Sequence, residues 1–185
     1  GANSQPFCHL HYPGTGVGGL CIPVYPKIVI EDAKKNGKPM KILEYSRTIN
    51  DSMPKKCVKN SLQLLKLNKK DKKTHKIAVL GLGFRGDVTD TRLSPTYDVV
   101  NEFIKMRCVV AVHDPYIFSD DNLPTSVNLS NDLNVVTKNA DLIFISSDHK
   151  IYQKLNNKSF SNAKKSVIIF DGRNILNKEN FSNIS

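Results

Sequence analysis

The chain has 185 residues and a hydrophobic content of 39%, enough for one full domain and a smaller appended piece. Its 27 Lys and Arg against 17 Asp and Glu give a formal net charge of +10, which favours anionic ligands. No apolar run approaches the roughly 20 residues that span a bilayer, and the first residues lack a signal-peptide pattern. We therefore expect a cytoplasmic protein without a membrane partner. Because the chain begins without Met, we also expect it to be a fragment of something longer.

The basic charge and the cysteines exclude several classes of protein. Much of the positive charge lies in lysine clusters, of which residues 68–73 are the longest, without the interleaved aromatic residues of a single-strand nucleic-acid binder. A solvated face is favoured over a nucleic-acid site. The four cysteines, at positions 8, 21, 57 and 108, form no C-x-x-C element, so neither a zinc site nor a disulfide framework is predicted.

The first part of the chain divides into a loop and a helical segment. Residues 1–27 are dense in Pro and Gly and predict a structured loop. From Ile28 to about residue 67, apolar residues recur every three or four positions, which predicts helices broken at residues 37–39 and bent at Pro54. The lysine-rich residues 68–75 then predict a linker.

Strands and helices alternate in the remainder. Apolar runs predict strands at 76–80, 108–112, 142–145 and 167–170, with helices at 95–106 and 131–139. Near-continuous apolar strands separated by helices indicate a parallel sheet covered on both faces. The predicted fold class is α/β, with a doubly wound parallel sheet preceded by the helical segment.

A glycine motif follows the first strand. Residues 81–86, GLGFRG, fit the G-x-G-x-x-G pattern of dinucleotide-binding folds. The predicted helix starts only at Pro95, however, so a pyrophosphate would lack an adjacent helix N-terminus. The glycines either allow a tight turn to pack, bind NAD, or belong to a loop that binds a different nucleotide with help from Arg85 and Arg92. The third interpretation is favoured, because Asp114 and residues 171–173 also follow strands at this edge.

Three motifs together resemble one family. PGTGVGGLCIP at 13–23, RTINDSMP at 47–54 and GLGFRGDVTDTRLSP at 81–95 resemble, in order and spacing, the UDP-glucose/GDP-mannose dehydrogenase family. Ser147-Asp148-His149 and residues 171–174 match as well. The Asn-Asp-x-Met-Pro element resembles the branch that acts on UDP-N-acetyl-D-mannosamine. The resemblance covers nearly the whole chain.

The resemblance implies a division into domains. Residues 1–67 would hold the active-site loop and part of the helical central region, through which the family forms homodimers. Residues 68–75 would be the linker, and residues 76–185 the C-terminal, Rossmann-like UDP-sugar-binding domain. The N-terminal NAD-binding domain of the family would be missing, and the glycine motif at 81–86 would belong to the UDP-sugar domain.

The same resemblance implies an activity and a set of site residues. The family oxidises a UDP-sugar alcohol to its uronate with two NAD, and holds the intermediates on a cysteine as a thiohemiacetal and a thioester. Cys21 would be the nucleophile, whereas the alternative for a lone cysteine is packing. The remaining implied site residues are Gly18 in the sugar pocket, Phe84 and Arg85 on the UDP-sugar, Arg173 on the substrate, and Arg92 reaching NAD held by the neighbouring subunit. Solvated surface charge is the alternative for the three arginines.

Departures from the family pattern cluster near the nucleophile. Leu20 stands where the family usually has His, and Tyr25 where it has Asp, which puts thioester hydrolysis in question. Residues 3–7 lose an Arg of the family pattern. The alternative function is therefore a catalytically incomplete UDP-sugar-binding and dimerisation module. We assign Cys8, Cys57 and Cys108 to packing, and we expect Asp148 and His149 to structure a strand end rather than act as a catalytic base.

Overall fold

The apolar runs of the second part of the chain form a parallel sheet. The computed structural model describes residues 1–7, 10, 12–68 and 74–181. The strands of the described part are β1 (Lys76–Leu80), β2 (Val109–His113), β3 (Asn128–Ser130), β4 (Leu142–Ile145) and β5 (Ile168–Asp171). Its helices are α1 (Cys21–Lys35), α2 (Lys41–Asn68), α3 (Pro95–Lys105) and α4 (Leu133–Thr137), with short 3-10 turns at Ala2–Ser4, Lys150–Lys154, Asn157–Phe160 and Lys178–Phe181.

The strands lie in the order β3-β2-β1-β4-β5, and all neighbours are parallel. The chain moves from β1 outward to β3 on one side, then returns to β4 and moves outward to β5. The strand order therefore reverses between β1 and β4, and open α/β sheets bind ligands at the carboxyl ends of the strands at such a point. The predicted doubly wound sheet is confirmed.

Two hydrophobic layers cover the sheet. One face packs against α2 and α3, and its core includes Leu62, Leu65 and Phe103. Phe103 meets Phe144 of β4 edge to face, with ring centroids 5.5 Å apart. The other face packs against α4 and the turns that follow β4, where Tyr152 is almost fully buried. The second half of α2 therefore belongs to the same core as the sheet.

The start of the first helix was predicted wrongly. Residues 21–27 were expected to be loop and the helix to begin near Ile28, but α1 begins at Cys21. Pro23 suggested a loop, yet a proline is tolerated in the first helical turn, where the backbone N–H groups have no intrahelical partner anyway. The break at residues 37–39 is confirmed, since α1 ends at Lys35 and Gly37 has a φ of 68°.

Smaller differences concern the sheet domain. The short β3 was not predicted, and the helix expected over 131–139 covers only Leu133–Thr137. Of the packing cysteines, Cys57 is buried in the core, and burial raises the pKa of Cys108 to about 11, with Asp141 adding to the shift. Cys8 and residues 69–73 of the predicted linker lie outside the described residues. No helix in the described ranges is long and apolar enough to cross a membrane.

Candidate functional site at the carboxyl edge of the sheet

The turn at residues 81–86 leaves β1 at the carboxyl edge, and carboxylates of the protein accept hydrogen bonds from three of its backbone N–H groups. Asp114, which follows β2, accepts hydrogen bonds on Oδ2 from the N–H of Leu82 at 2.8 Å and of Gly83 at 3.2 Å. Asp148, which follows β4, accepts from the N–H of Gly86 at 2.7 Å. These donors are not presented to a pyrophosphate, and α3 begins only at Pro95. The turn therefore does not form a dinucleotide cradle of the usual kind.

The acceptors of this turn are held as carboxylates. Burial acts to raise the pKa of Asp114, but hydrogen bonds from His149 and from backbone N–H groups outweigh it and lower the pKa below its usual value. His149 Nδ1 accepts from the N–H of Asp87 at 2.9 Å, so its Nε2 carries the proton shared with Asp114 at 3.2 Å. Both side chains are buried. The prediction that Asp148 and His149 structure a strand end is confirmed.

The loop of residues 13–21 docks onto the same edge at three points. The Thr15 hydroxyl donates to the carbonyl of Ser146, just past β4, at 3.2 Å. The N–H of Val17 donates to Asn50 Oδ1 of α2 at 2.9 Å, and the N–H of Gly19 donates to the carbonyl of Arg92 at 3.0 Å. The loop therefore crosses from the end of β4 to the turn before α3, and it continues into α1.

Gly18 and Gly19 lie directly against Phe84. A Cβ added to Gly18 would come within 2.8 Å of Phe84 Cβ and 2.8 Å of Pro95 Cδ. At Gly19, which has a φ of 85°, an added Cβ would lie 3.1 Å from the Phe84 ring. No side chain could occupy either position without displacing its neighbours, so the glycines permit close contact between the loop and the turn. Predicted to line a sugar pocket, Gly18 is buried at this contact.

Cys21 is exposed and is the first residue of α1. Leu20 and Tyr25, the two departures from the family pattern, are exposed on either side of it, at 45% and 61%. Arg92 is within electrostatic range: hydrogen bonding to Asp90, 2.6 Å away, raises the pKa of Arg92, and the interaction with Cys21 makes a smaller contribution in the same direction. The thiol is therefore accessible, with a guanidinium in its neighbourhood.

Two further arginines line the edge. The Arg85 guanidinium lies 5.9 Å from the centroid of the Phe84 ring and is otherwise exposed. Arg173, which follows β5, forms an ion pair with Asp148 at 3.1 Å. Burial acts to raise the pKa of Asp148, but Arg173 and the N–H of Gly86 outweigh it and lower that pKa. A Cβ added to Gly14 would lie 2.9 Å from Arg173 Nη1, so Arg173 also borders the docked loop.

The structure thus brings the predicted site residues to one region, through contacts of Phe84 with Gly18 and of the docked loop with Arg173 and Arg92. Sequence reasoning missed the structural partners of that region. It used Asn50 only as part of a family motif, and it gave Asp148 no bond to the glycine turn. The spacing of Asn50 in the RTINDSMP motif was the available signal, but nothing in the sequence shows that α2 lies beneath the loop.

The strand order of the parallel sheet reverses between β1 and β4, and arginines lie at its carboxyl edge. These features define a Rossmann-like α/β protein. Residues 78–178 match the UDP-binding domain of the UDP-glucose/GDP-mannose dehydrogenase family, and residues 1–52 match its central domain. The chain therefore belongs to the UDP-glucose/GDP-mannose dehydrogenase family.

Relatives and solved structures agree with this assignment. UDP-N-acetyl-D-mannosamine dehydrogenase of Methanocaldococcus jannaschii is 34% identical over 181 residues, which are 96% of this chain and 39% of the relative. The structure of UDP-N-acetyl-mannosamine dehydrogenase from Staphylococcus aureus matches with a TM-score of 0.74 and 32% identity, over 100% of this chain and 40% of that one. NDP-N-acetyl-D-galactosaminuronic acid dehydrogenase from Methanosarcina mazei Go1 matches with a TM-score of 0.79 and 29% identity, over 92% of this chain and 37% of that one. The chain spans about two fifths of the length of these relatives.

Proposed function

We propose that this chain is the C-terminal part of a cytoplasmic, NAD-dependent UDP-sugar 6-dehydrogenase, which binds the nucleotide sugar and supplies the nucleophile. The substrate would be a UDP-hexose or UDP-N-acetylhexosamine, and the product its uronate. UDP-N-acetylmannosamine is the first choice because relatives at 34% and 33% identity carry that name. The observation that carries the proposal is the docking of the Cys21 loop onto the sheet edge, through Phe84, beside Arg85 and Arg173.

The basic side chains of the edge suit the diphosphate of a UDP-sugar. Guanidinium groups bind phosphate oxygens in bidentate geometry, and Arg85 forms no ion pair with another described residue. Arg173 is held in place by Asp148, so its orientation is set before a ligand arrives. In this proposal Phe84 packs against the ligand as well as against Gly19, and Gly18 allows the loop to approach Phe84 closely.

The thiol of Cys21 would hold the reacting carbon between the two oxidations. It adds to the aldehyde carbonyl to give a thiohemiacetal, which keeps the intermediate from diffusing away. Oxidation of that adduct gives a thioester, and water then releases the carboxylate and restores the thiol. The exposed position of Cys21 beside the edge allows this attack.

NAD does not fit the glycine turn of this chain, because the turn's N–H groups are bonded to Asp114 and Asp148. Two NAD molecules, bound in succession, would each accept one hydride, and we propose that NAD is held outside these residues. Arg92 is the side chain proposed to reach it. Its guanidinium is 62% exposed and rests on Asp90, which leaves it able to meet a cofactor held by a neighbouring subunit.

We propose a homodimer through the helical segment. α1 and α2 expose large apolar side chains at helical spacing, which a second copy would cover. They are Ile22, Tyr25, Ile28, Val29, Ile42, Tyr45 and Ile49. Sedimentation should therefore give a dimer, and Ile42→Glu with Ile49→Glu should return a monomer.

The second candidate is a binding and dimerisation module without turnover. Leu20 and Tyr25 favour it, since neither side chain can supply the carboxylate or imidazole that would assist hydrolysis. This module would bind UDP-sugars through the same arginines and release no product.

Calorimetry with UDP tests the binding proposal on this chain alone. Arg85→Ala and Arg173→Ala should each weaken UDP binding by about 10-fold or more, the usual loss for a hydrogen bond to a charged group. Arg107→Ala removes an exposed charge before β2, at the opposite edge, and should leave binding unchanged. Absence of UDP binding, or equal effects of all three variants, would contradict the proposal.

Turnover separates the two candidates in the full-length protein. The dehydrogenase releases NADH with UDP-N-acetylmannosamine. Cys21→Ala should form no uronate and release at most the NADH of the first oxidation, because no thiol captures the aldehyde. The binding module would bind UDP and release no NADH. Undiminished turnover in Cys21→Ala would remove Cys21 as the nucleophile.

A further inference from the structure

Asn50 brackets the backbone of Val17 with its side-chain amide. The N–H of Val17 donates to Asn50 Oδ1 at 2.9 Å, and Asn50 Nδ2 donates to the carbonyl of Val17 at 3.4 Å. Asn50 Nδ2 also lies 3.4 Å from Asp51 Oδ1. We infer that Asn50 is a positioning residue for the nucleophile: it fixes the loop that delivers Cys21 to the substrate. The inference rests on the proposed function of Cys21.

An anchor is needed because the loop is rich in glycine. Gly16 has a φ of 131° and Gly19 a φ of 85°. Glycine adopts these conformations without the strain that a Cβ would cause, but it also changes conformation easily. The anchors of the loop fall on alternate residues, Thr15, Val17 and Gly19. The outer two are held by backbone carbonyls, whereas the middle one is held by a side chain. A substitution of Asn50 can therefore release the loop at Val17 without altering the sheet edge.

The helix behind Asn50 gives the anchor a rigid support. α2 carries Asn50 and, further along, Leu62 and Leu65 of the hydrophobic core. A displacement of α2 would disturb that core, so the amide is held in place by the whole domain. Cys21 lies four residues after Val17. Loss of geometry of about 1 Å at a reacting group costs on the order of 100-fold in rate, so the anchor acts on turnover through the position of the thiol.

Asn50 is suited to substitution because the fold does not depend on its packing. It is only partly buried and borders a cleft of about 300 Å³, so water can reach the space of a shortened side chain. Alanine also has a higher helix propensity than asparagine, which favours an intact α2. Asn50→Ala should thus keep the circular dichroism spectrum and the thermal midpoint close to those of the wild type.

The first measurement is hydrogen exchange of the backbone in this chain. In Asn50→Ala the N–H of Val17 should exchange about 10-fold faster, the size expected for one lost hydrogen bond. Asn50→Asp keeps an acceptor for Val17 and should recover most of the protection. Asn60→Ala, an exposed change on the same helix, is the matched control and should show wild-type exchange.

The second measurement is turnover by the full-length enzyme. Asn50→Ala should lower kcat by about 10-fold or more and leave KM for the UDP-sugar within about twofold, because Arg85 and Arg173 are untouched. Asn50→Asp should restore most of kcat. A raised KM with unchanged kcat, or unchanged exchange at Val17, would overturn the inference. If the wild-type enzyme itself releases no NADH, the proposed function fails, while the exchange experiment still decides whether Asn50 holds the loop.

Discussion

Two glycine-rich segments of this chain meet at the same sheet edge but differ in what their backbone N–H groups contact. The turn at 81–86 carries the G-x-G-x-x-G pattern, and carboxylates of Asp114 and Asp148 occupy its donors. The loop at 13–21 has the same glycine spacing at Gly14, Gly16 and Gly19, but it is held by a carbonyl of Arg92 and by the Asn50 amide. The turn is thus an internally bonded support, whereas the loop is a docked segment that ends at an exposed thiol.

The comparison teaches how a glycine motif should be interpreted. Glycines allow the backbone to approach a neighbour closely, but the neighbour decides the function. The carboxylates of Asp114 and Asp148 accept hydrogen bonds from this turn, whereas a dinucleotide-binding turn leaves its N–H groups free for a pyrophosphate. A sequence pattern cannot show this, because Asp114 and Asp148 lie 32 and 62 residues away from the N–H groups that they accept from.

The largest expected effect concerns the support of the turn. Asp114→Ala removes the acceptor for Leu82, Gly83 and His149, and leaves those donors buried without a partner. The free energy of unfolding in urea should fall by roughly 3–5 kcal/mol, the range for breaking a buried charged network. Asp121→Ala removes an exposed carboxylate nearby and should change it by less than about 0.5 kcal/mol. Equal stability of the two variants would show that the turn does not need its internal acceptor.

The next effect concerns the contact between the two segments. In Gly18→Ala the new methyl group would meet the Leu93 carbonyl as well as Phe84 and Pro95, which should cost about 2 kcal/mol of stability, typical of overpacking. Gly37→Ala is the matched control: its φ of 68° strains an alanine, but among the described residues no atom beyond the chain neighbours lies within 4 Å of the added Cβ. That variant should lose about 1 kcal/mol and keep UDP-sugar binding. Loss of UDP-sugar binding in both variants would show that the loss does not come from crowding at Phe84.

Acid should loosen the turn before the loop. The folded pKa of Asp114 lies below its ordinary value of 3.8, so above that pH its contribution to stability is fully present. The contribution is lost as pH falls through the folded pKa, with a slope of at most about 1.4 kcal/mol per pH unit for one proton. Residues 13–21 contain no carboxylate. Hydrogen exchange between pH 5 and 2, corrected for intrinsic rates, should show Leu82 and Gly83 losing protection before Val17, and the order should disappear in Asp114→Asn.

The smallest effect is at the surface. Arg92 is 62% exposed and paired with Asp90, so Arg92→Ala should leave the thermal midpoint of unfolding unchanged. The Arg92 backbone carbonyl that holds Gly19 remains in this variant. Thermal unfolding checks the result. A clearly lowered midpoint would mean that the side chain supports the loop, which the proposed contact with NAD does not require.

The parts of the fold that depend on local pattern were predictable. β1 and β4 coincide with their apolar runs. The start of α3 at Pro95 was predicted from Ser94-Pro95, and the Ser94 side chain accepts a hydrogen bond from the N–H of Thr96. The alternation of strands and helices along the chain predicted the doubly wound sheet. These features depend on residues a few positions apart.

The parts that depend on distant contacts were not predictable. α1 begins at Cys21, directly after a loop that is docked at Val17 and Gly19, and no local pattern reveals this docking. The short β3 pairs with β2 over only three residues and carries little apolar signal. The roles of Gly18, Phe84, Arg85, Arg92 and Arg173 came from resemblance, and they remain proposals about chemistry.

The most direct test is protection of Cys21 by ligand. This chain is treated with iodoacetamide with and without UDP-N-acetylmannosamine, and alkylation of Cys21 is measured by peptide mass spectrometry, with Cys108 as internal reference. The proposed site predicts that the UDP-sugar slows alkylation of Cys21 by about 10-fold or more at saturation, that UDP alone protects less, and that Arg173→Ala removes protection at the same ligand concentration. A UDP-sugar that binds while Cys21 reacts at its unliganded rate would contradict the placement of the nucleophile at the nucleotide-sugar site.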